Sequence, residues 1–175
     1  MAKLRQATPE EAERILKFYQ DIIDSVKGTQ FNPKWGRHYP NLEFIKTSIE
    51  KGELYICTQD DLLIASVVLN NRFDPEYENI DWKTDANHHE TIIIHTFAVN
   101  SEFAGKGIGK KIFNQIKSQV MKSNVKTIRL DIIDGNTGAQ KVFEKLGFEH
   151  VDSVEMFHPA VGAEKFHLYE NVLKK

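Results

Sequence analysis

The sequence predicts a mixed α/β fold, in which one sheet combines antiparallel and parallel strand pairs and carries helices on both faces. Three observations lead there. Two apolar runs, Leu54 to Thr58 and Leu62 to Asn70, flank Asp60-Asp61 as the arms of a hairpin. Thr91 to Val99, Gly107 to Lys122, Thr127 to Ile133 and Thr137 to Leu146 then alternate between strand and helix patterning, a βαβα order. Two further strand-like runs, near Phe148 to Phe157 and Glu164 to Asn171, close the chain.

Each element has a local reason. Lys3 to Gln6 reads as a short strand, and Thr8-Pro9-Glu10-Glu11 supplies an N-cap, a proline at the first helical position and an acidic first turn for a helix running to about Lys27. A second helix is expected from Leu42 to Lys51, stopped by Gly52. In the Gly107 to Lys122 segment, Ile108, Ile112, Phe113, Ile116 and Val120 share one helical face, while Lys110, Lys111, Asn114, Lys117 and Ser118 lie elsewhere. Asn136 suits a helix N-cap, Ala139, Val142, Phe143 and Leu146 form one apolar stripe, and Gly147 suits the position just past the helix end.

Composition bounds the rest. The 175 residues, 41% of them hydrophobic, contain no repeat, low-complexity tract or Pro/Gly/Ser linker, so one domain spanning 1–175 is expected. Met-Ala-Lys-Leu-Arg-Gln-Ala lacks the apolar run of a secretory signal, and nowhere do roughly eighteen apolar residues follow one another, so the expectation is a cytoplasmic protein with no membrane partner. A single cysteine, Cys57, excludes an internal disulfide. The net charge of −2 and pI near 6.4 argue against a nucleic-acid partner.

The most informative segment is Phe103-Ala-Gly-Lys-Gly-Ile-Gly-Lys-Lys111, between a strand and a helix. Glycines at 105, 107 and 109 allow a tight turn that brings backbone N–H groups close to an anion, and the helix that follows adds the positive end of its dipole. From Ala104 to Leu130 the chain carries Lys106, Lys110, Lys111, Lys117, Lys122, Lys126 and Arg129 with no Asp or Glu, a local basic field suited to a multiply charged anion. A nucleotide-triphosphatase P-loop anchored on Gly109-Lys110 would need glycine at 104 and Ser or Thr at 111, where the chain has Ala104 and Lys111. A dinucleotide fingerprint starting at Gly105 fails at Lys110, and Asp131 falls inside the next strand rather than at its end.

Ala104-Gly105-Lys106-Gly107-Ile108-Gly109 resembles the [QR]xxGx[GA] acyl-CoA-binding motif of the GNAT family of N-acetyltransferases, with Ala104 in place of the leading Gln or Arg. Asn136-Thr-Gly-Ala139-Gln-Lys-Val-Phe143-Glu-Lys-Leu-Gly147-Phe148 is similar to the family's later signature, N-x-x-A-x-x-[LVF]-[YF]-x-x-x-G-F. The resemblance implies the GNAT fold, a mostly antiparallel mixed sheet whose fourth and fifth strands splay to admit acetyl-CoA as co-substrate. It implies direct transfer of an acetyl group to an amine. It further implies that the backbone of Phe97, Ala98 and Val99 bonds the pantetheine arm, that the amides of Ala104, Gly105, Lys106, Gly107, Ile108, Gly109 and Lys110 hold the pyrophosphate, and that Asn136, Ala139 and Phe143 line the far wall. Many members carry tyrosine at the position of Phe143 as the acid that protonates the thiolate; a phenyl ring has no proton to give, so water or Tyr169 is the substitute.

For the base, His95 stands in the apolar run Ile92 to Val99, two residues before the pantetheine segment, with an unperturbed pKa suited to proton removal. No metal is expected: His88-His89 has no Cys, Asp or Glu partner at a zinc spacing. Cys57 reads as a buried strand residue rather than an acyl carrier. The long connection Asn71 to Glu90 holds Asp74, Glu76, Glu78, Asp81, Asp85 and Glu90 with Tyr77 and Trp82 interleaved, and reads either as the border of a site for a small cationic amine or as a solvated acidic loop. Trp35 to Pro40 is a second candidate acceptor wall. Two other functions stay open, a non-catalytic acyl-CoA-sensing module and an acetyltransferase acting on protein N-termini or lysines; oligomeric state is open too, a homodimer included.

Overall fold

The computed structural model describes residues 2–174. Its elements follow the order β1 (Leu4–Gln6), α1 (Ala12–Val26), α2 (Leu42–Glu50), β2 (Leu54–Gln59), β3 (Leu62–Asn70), β4 (Thr91–Val99), α3 (Ile108–Val120), β5 (Thr127–Ile133), α4 (Thr137–Lys145), β6 (Glu149–His158) and β7 (Gly162–Val172). The predicted hairpin and βαβα segment are both present, with bounds shifted by a residue or two at several ends.

Local chemistry explains the ends. Thr8 and Pro9 open a short 3₁₀ turn, Pro9–Glu11, rather than α1 itself, and the Glu11 carboxylate accepts from the Thr8 amide at 2.9 Å. Asn41 caps α2 by accepting from the Phe44 amide at 2.8 Å. Gly107, at φ 73°, precedes α3, and Gly147, at φ 95°, follows α4, both in the left-handed region that glycine enters without strain.

Seven strands form one sheet in the order β1-β2-β3-β4-β5-β7-β6. Every neighbouring pair is antiparallel except β4 with β5. On one face α3 and α4 pack Ile112, Phe113, Ile116 and Phe143 against Ile94, Ile128, Leu130 and Tyr169. On the other, α1 and α2 cover only the β1 to β4 half, through Ile15, Tyr19, Ile45 and Ile49. The remaining half is covered by the 71–90 connection, whose Tyr77, Phe73 and Trp82 pack on Ile93, Ile133, Phe166 and Leu168.

That cover is held by a buried ion pair. Arg129 and Glu170 are 2% and 1% exposed, with Nε to Oε1 at 3.1 Å. Glu170 Oε1 also accepts from Thr127 Oγ1 at 2.9 Å, and Oε2 from the Lys83 amide at 2.7 Å. The Arg129 guanidinium lies 4.3 Å from the Trp82 ring centroid and donates to the Thr84 carbonyl at 2.8 Å. Every oxygen of this carboxylate is satisfied, and the connection is thereby pinned to the sheet. Removing one partner leaves a buried charge alone, so Glu170→Gln is expected to cost about 3–5 kcal/mol in urea unfolding, whereas the double replacement Arg129→Met with Glu170→Leu should cost much less. A loss below about 1 kcal/mol for the single change would show that the pair does not anchor the connection.

Candidate functional site

The site begins with a failure of pairing. β4 and β5 are partnered only over Thr91↔Thr127, Ile92↔Ile128 and Ile93↔Arg129; beyond that β4 continues to Val99 beside β3, and β5 to Ile133 beside β7. A β-bulge adds to the divergence. Between Ser66↔Ala98 and Val68↔His95 a single β3 residue opposes both Thr96 and Phe97, and Thr96 sits at φ 49°, a strained position for a β-branched residue. Tyr19 of α1 stabilises the bulge: its buried hydroxyl donates to the Thr96 carbonyl at 2.8 Å and lies 2.9 Å from Ser66 Oγ. Burial pushes the Tyr19 phenol up to about 12, so it remains a donor.

One side of this gap is the glycine-rich turn that opens α3. Gly105 and Gly107 have φ of 73°, and a methyl added at Gly105, Gly107 or Gly109 would meet no atom within 4 Å. Gly109 has no positive φ, so the fold does not demand glycine there; the bare surface faces open space. Among the described residues the amides of Gly105, Gly107, Ile108, Gly109 and Lys110 meet no protein acceptor, whereas Ala104 and Lys106 donate into the preceding turn at Ser101 and Phe103. Five unpaired N–H groups at a helix start, flanked by exposed Lys106, Lys110 and Lys111, are the donor set a diphosphate requires.

The residues expected to meet the rest of such a ligand lie alongside. Phe97, Val99, Ile108, Ala139 and Phe143 belong to one apolar cluster on the α3–α4 face, with the Phe97 and Phe143 rings 6.0 Å apart. Ala98 points to the opposite face, against α1 and α2, so only its backbone is available to the gap. Asn136 caps α4 through Oδ1, which accepts from the Ala139 amide at 3.3 Å, while its Nδ2 has no protein acceptor among the described residues. Phe143 is packed between Phe97 and Phe148. Tyr169, the substitute acid suggested by the sequence, is buried beneath α4 and donates to Glu144 at 3.2 Å; burial first, and then this bond, hold its phenol up at about 12. Its proton is committed elsewhere.

On the other face of the gap lie polar and aromatic side chains. His95 Nε2 lies 2.9 Å from Asn70 Oδ1, and that oxygen also accepts from the Arg72 amide at 3.1 Å. A backbone N–H can only donate, so the Asn70 atom is oxygen, Nε2 must carry the hydrogen, and Nδ1 presents its lone pair. Burial first, and then Arg72, lower the imidazole to about 4. His95 is therefore neutral throughout the physiological range.

Asp131, two residues past Arg129, shares the face of Ile93 and His95: its Oδ2 accepts from buried Tyr77 at 2.7 Å. It keeps some solvent-accessible surface yet is crowded enough by protein that desolvation pushes it up to about 6. Trp35, Tyr39 and His158 complete the wall, with ring centroids 5.7 Å apart for Trp35–Tyr39 and 4.6 Å for Tyr39–His158. His158 Nδ1 accepts from the Ala160 amide at 3.1 Å, and burial lowers its pKa.

The 71–90 connection carries exposed acidic residues, as its composition suggested, and also packs on the sheet. Its aromatics are core, Glu78, Asp81 and Asp85 are exposed, and only Asp74, at the rim, bears on Asp131 and Tyr39. His88 stacks on Phe73 at 4.0 Å, and Cys57 is fully buried in β2 with its thiol pKa raised. Asp131 is the site residue the sequence reading missed. Its signal was the alternation Thr127, Arg129, Asp131 within an otherwise apolar strand, which marks one face carrying buried polar groups.

Comparison with known proteins agrees with this geometry. Residues 18–148 match the family described as acetyltransferase (GNAT) family. An uncharacterized N-acetyltransferase of Bacillus subtilis, YesJ, is 28% identical over 126 residues, 72% of this chain and 64% of its own length, so the chain spans less than two thirds of that relative. A GNAT acetyltransferase structure from Streptococcus agalactiae superposes with a TM-score of 0.82 at 20% identity, covering 99% of this chain and 96% of the other. The structure of YncA from Salmonella typhimurium, a protein solved with its cofactor acetyl-CoA, superposes with a TM-score of 0.69 at 13% identity, over 100% of this chain and 95% of the other. With a family match over most of its length and the splayed sheet that the resemblance implied, the chain belongs to the GNAT acetyltransferase family.

Proposed function

We propose that the protein is an acetyl-CoA-dependent N-acetyltransferase that acts on a small cationic primary amine by direct attack. The observation that carries this reading is the set of unpaired amides at Gly105, Gly107, Ile108, Gly109 and Lys110, opening beside β4–β5, the only parallel strand junction among the described residues. Support comes from the Salmonella structural relative, whose cofactor is acetyl-CoA.

Acetyl-CoA supplies an acyl group already activated as a thioester. The chain's own contribution is to hold and orient it. The free amides and flanking lysines grip the diphosphate, Asn136, Ala139 and Phe143 form the wall beside the pantetheine arm, and the unpaired edge of β4 at Phe97, Ala98 and Val99 bonds that arm and polarises the thioester carbonyl. The amine enters from the opposite face, where Trp35, Tyr39 and Asp131 offer aromatic surface and negative charge to a cation. His95, with Nδ1 bare, takes the proton that the nitrogen sheds as the C–N bond forms. With Phe143 lacking a hydroxyl and Tyr169 bonded to Glu144, the departing thiolate draws its proton from the adduct nitrogen through His95 or from water.

The committed Tyr169 proton also favours a second reading, an acyl-CoA-sensing module without turnover. Thiol release from acetyl-CoA with a panel of amines separates the two: saturable binding with no release on any acceptor would favour the module.

Two variants test the assignment. Gly109→Ala should leave stability unchanged or raise it by up to about 1 kcal/mol, because alanine favours helix, while weakening acetyl-CoA binding about tenfold or more by filling the cradle. Calorimetric titration and a thermal melt read both signs, and an unchanged affinity would place the diphosphate elsewhere. His95→Gln should lower turnover by about 10²-fold at pH 7 with acetyl-CoA affinity intact. Turnover within a factor of two or so of the parent would remove His95 from the chemistry.

A further inference from the structure

Two carboxylates, Glu170 buried and Asp131 half-buried, lie on the same face of the β5–β7 region, and the fold treats them differently. Glu170 receives Arg129, Thr127 Oγ1 and the Lys83 amide, so both of its oxygens and its charge are answered. Asp131 receives a single hydrogen bond, from the Tyr77 hydroxyl to Oδ2. Its Oδ1 has no protein partner among the described residues, and no Lys or Arg pairs with it. Asp131 is half-buried and Oδ1 is not a fully buried atom, so this half of the carboxylate is open to a ligand's hydrogen-bond donor.

Its position says which ligand. Ile93 and Arg129 are the last residues of the parallel ladder, so His95 and Asp131 are each two residues further on, one on each of the strands that border the gap. Both lie on the face of Ile93, the side away from the phosphate cradle. A group entering between them approaches the place where the thioester would sit. Resting on the transferase reading above, we propose that Asp131 receives the acceptor's ammonium group and removes the proton that must leave before the amine can attack.

An ammonium ion has no lone pair, so two protons leave the nitrogen in the course of amide formation. The first passes from R–NH₃⁺ to Asp131, giving a neutral carboxylic acid and a free amine. The amine's electron pair forms the C–N bond as the C–S bond of the thioester breaks and its electrons leave with sulfur. The second N–H proton passes to His95 Nδ1 and on to the thiolate, and Asp131 returns its own to water. One acetyl group moves, one thiol forms and one proton is released. The division suits the two groups: Asp131 is ionised at neutrality and attracts a cation, while His95 is neutral and does not repel one.

The surroundings of Asp131 are consistent with that role. Tyr77 and Asp74 face it from the 71–90 connection, Tyr39 from the α1–α2 connection, Arg129 lies two residues back on its own strand, and Leu168 opposes it on β7. His158 of β6 touches Tyr39, and His95 lies across the gap. Arg129, the cation nearest in sequence, is held by Glu170.

The test uses the intact protein with butylammonium chloride as the cation and butanol as the uncharged control, both in the presence of coenzyme A. The side-chain carboxyl carbon of Asp131 is followed by ¹³C NMR and assigned by its loss in Asp131→Asn. Butylammonium should move this resonance saturably and lower its midpoint, near pH 6, by about one unit or more, as expected for a carboxylate beside a cation, and butanol should do neither. An unmoved resonance overturns the proposal. In turnover, Asp131→Asn should keep acetyl-CoA affinity within about twofold, lose 10²-fold or so in kcat/KM at pH 7, and lose the acidic limb of the pH profile that His95→Gln retains. Equal kcat/KM in parent and variant also overturns it. Failure of acetyl-CoA to bind the parent protein would instead sink the transferase reading, while the resonance still reports the contact between Asp131 and the ammonium ion.

Discussion

The constraint on which the rest depends is that β4 cannot stay bonded to two neighbours along its whole length. At Thr91 and Ile92 it pairs with β5, at Ile93 with both β5 and β3, and from Ile94 onward with β3 alone, around a bulge that places Thr96 in the left-handed region. A β-branched residue there carries a strain of order 1–3 kcal/mol, and it persists because α1 sends the Tyr19 hydroxyl into the bulge from within the core. β5 meanwhile stays bonded to β7 through all seven of its residues. The strands part because each has a better-secured partner on its far side, and the gap joins the two faces of the sheet.

The two faces then supply opposite electrostatics. On the α3–α4 side are unpaired backbone donors and lysines, with no acidic residue from Ala104 to Leu130. On the other side are an ionised aspartate, a neutral histidine and aromatic rings. An anionic thioester donor and a cationic amine acceptor would thus be drawn to opposite sides of one sheet and meet only through the opening. Local dipoles and a few buried groups achieve this in a chain whose net charge is only −2.

Much of this was legible in the letters, and the reasons are local. The glycines at 105 and 107 occupy positive-φ positions that few other residues adopt, and the Asn136 cap and Gly147 stop act within one helical turn, so their signatures survive without knowledge of the fold. What the sequence could not show depends on pairings across long separations. Thr96 is a good strand residue by propensity, and only its contact with Tyr19, seventy-seven positions away, makes it a bulge. The acidic composition of the 71–90 connection concealed the fact that Tyr77, Phe73 and Trp82 close the core over β5 and β7, a role set by the Arg129–Glu170 pair. Asp131 looked like a misplaced dinucleotide acid because its meaning comes from the strand across the gap.

The central claim is that the main-chain donors opening α3 hold the diphosphate of an acyl-CoA. The most direct measurement is a titration of ¹⁵N-labelled protein with acetyl-CoA, followed by amide resonances and hydrogen exchange. The amides of Gly105, Gly107, Ile108, Gly109 and Lys110, unpaired in the free protein, should shift together with one saturation curve and become protected, ahead of those elsewhere in α3. Saturable binding that leaves these five amides unmoved would contradict the account.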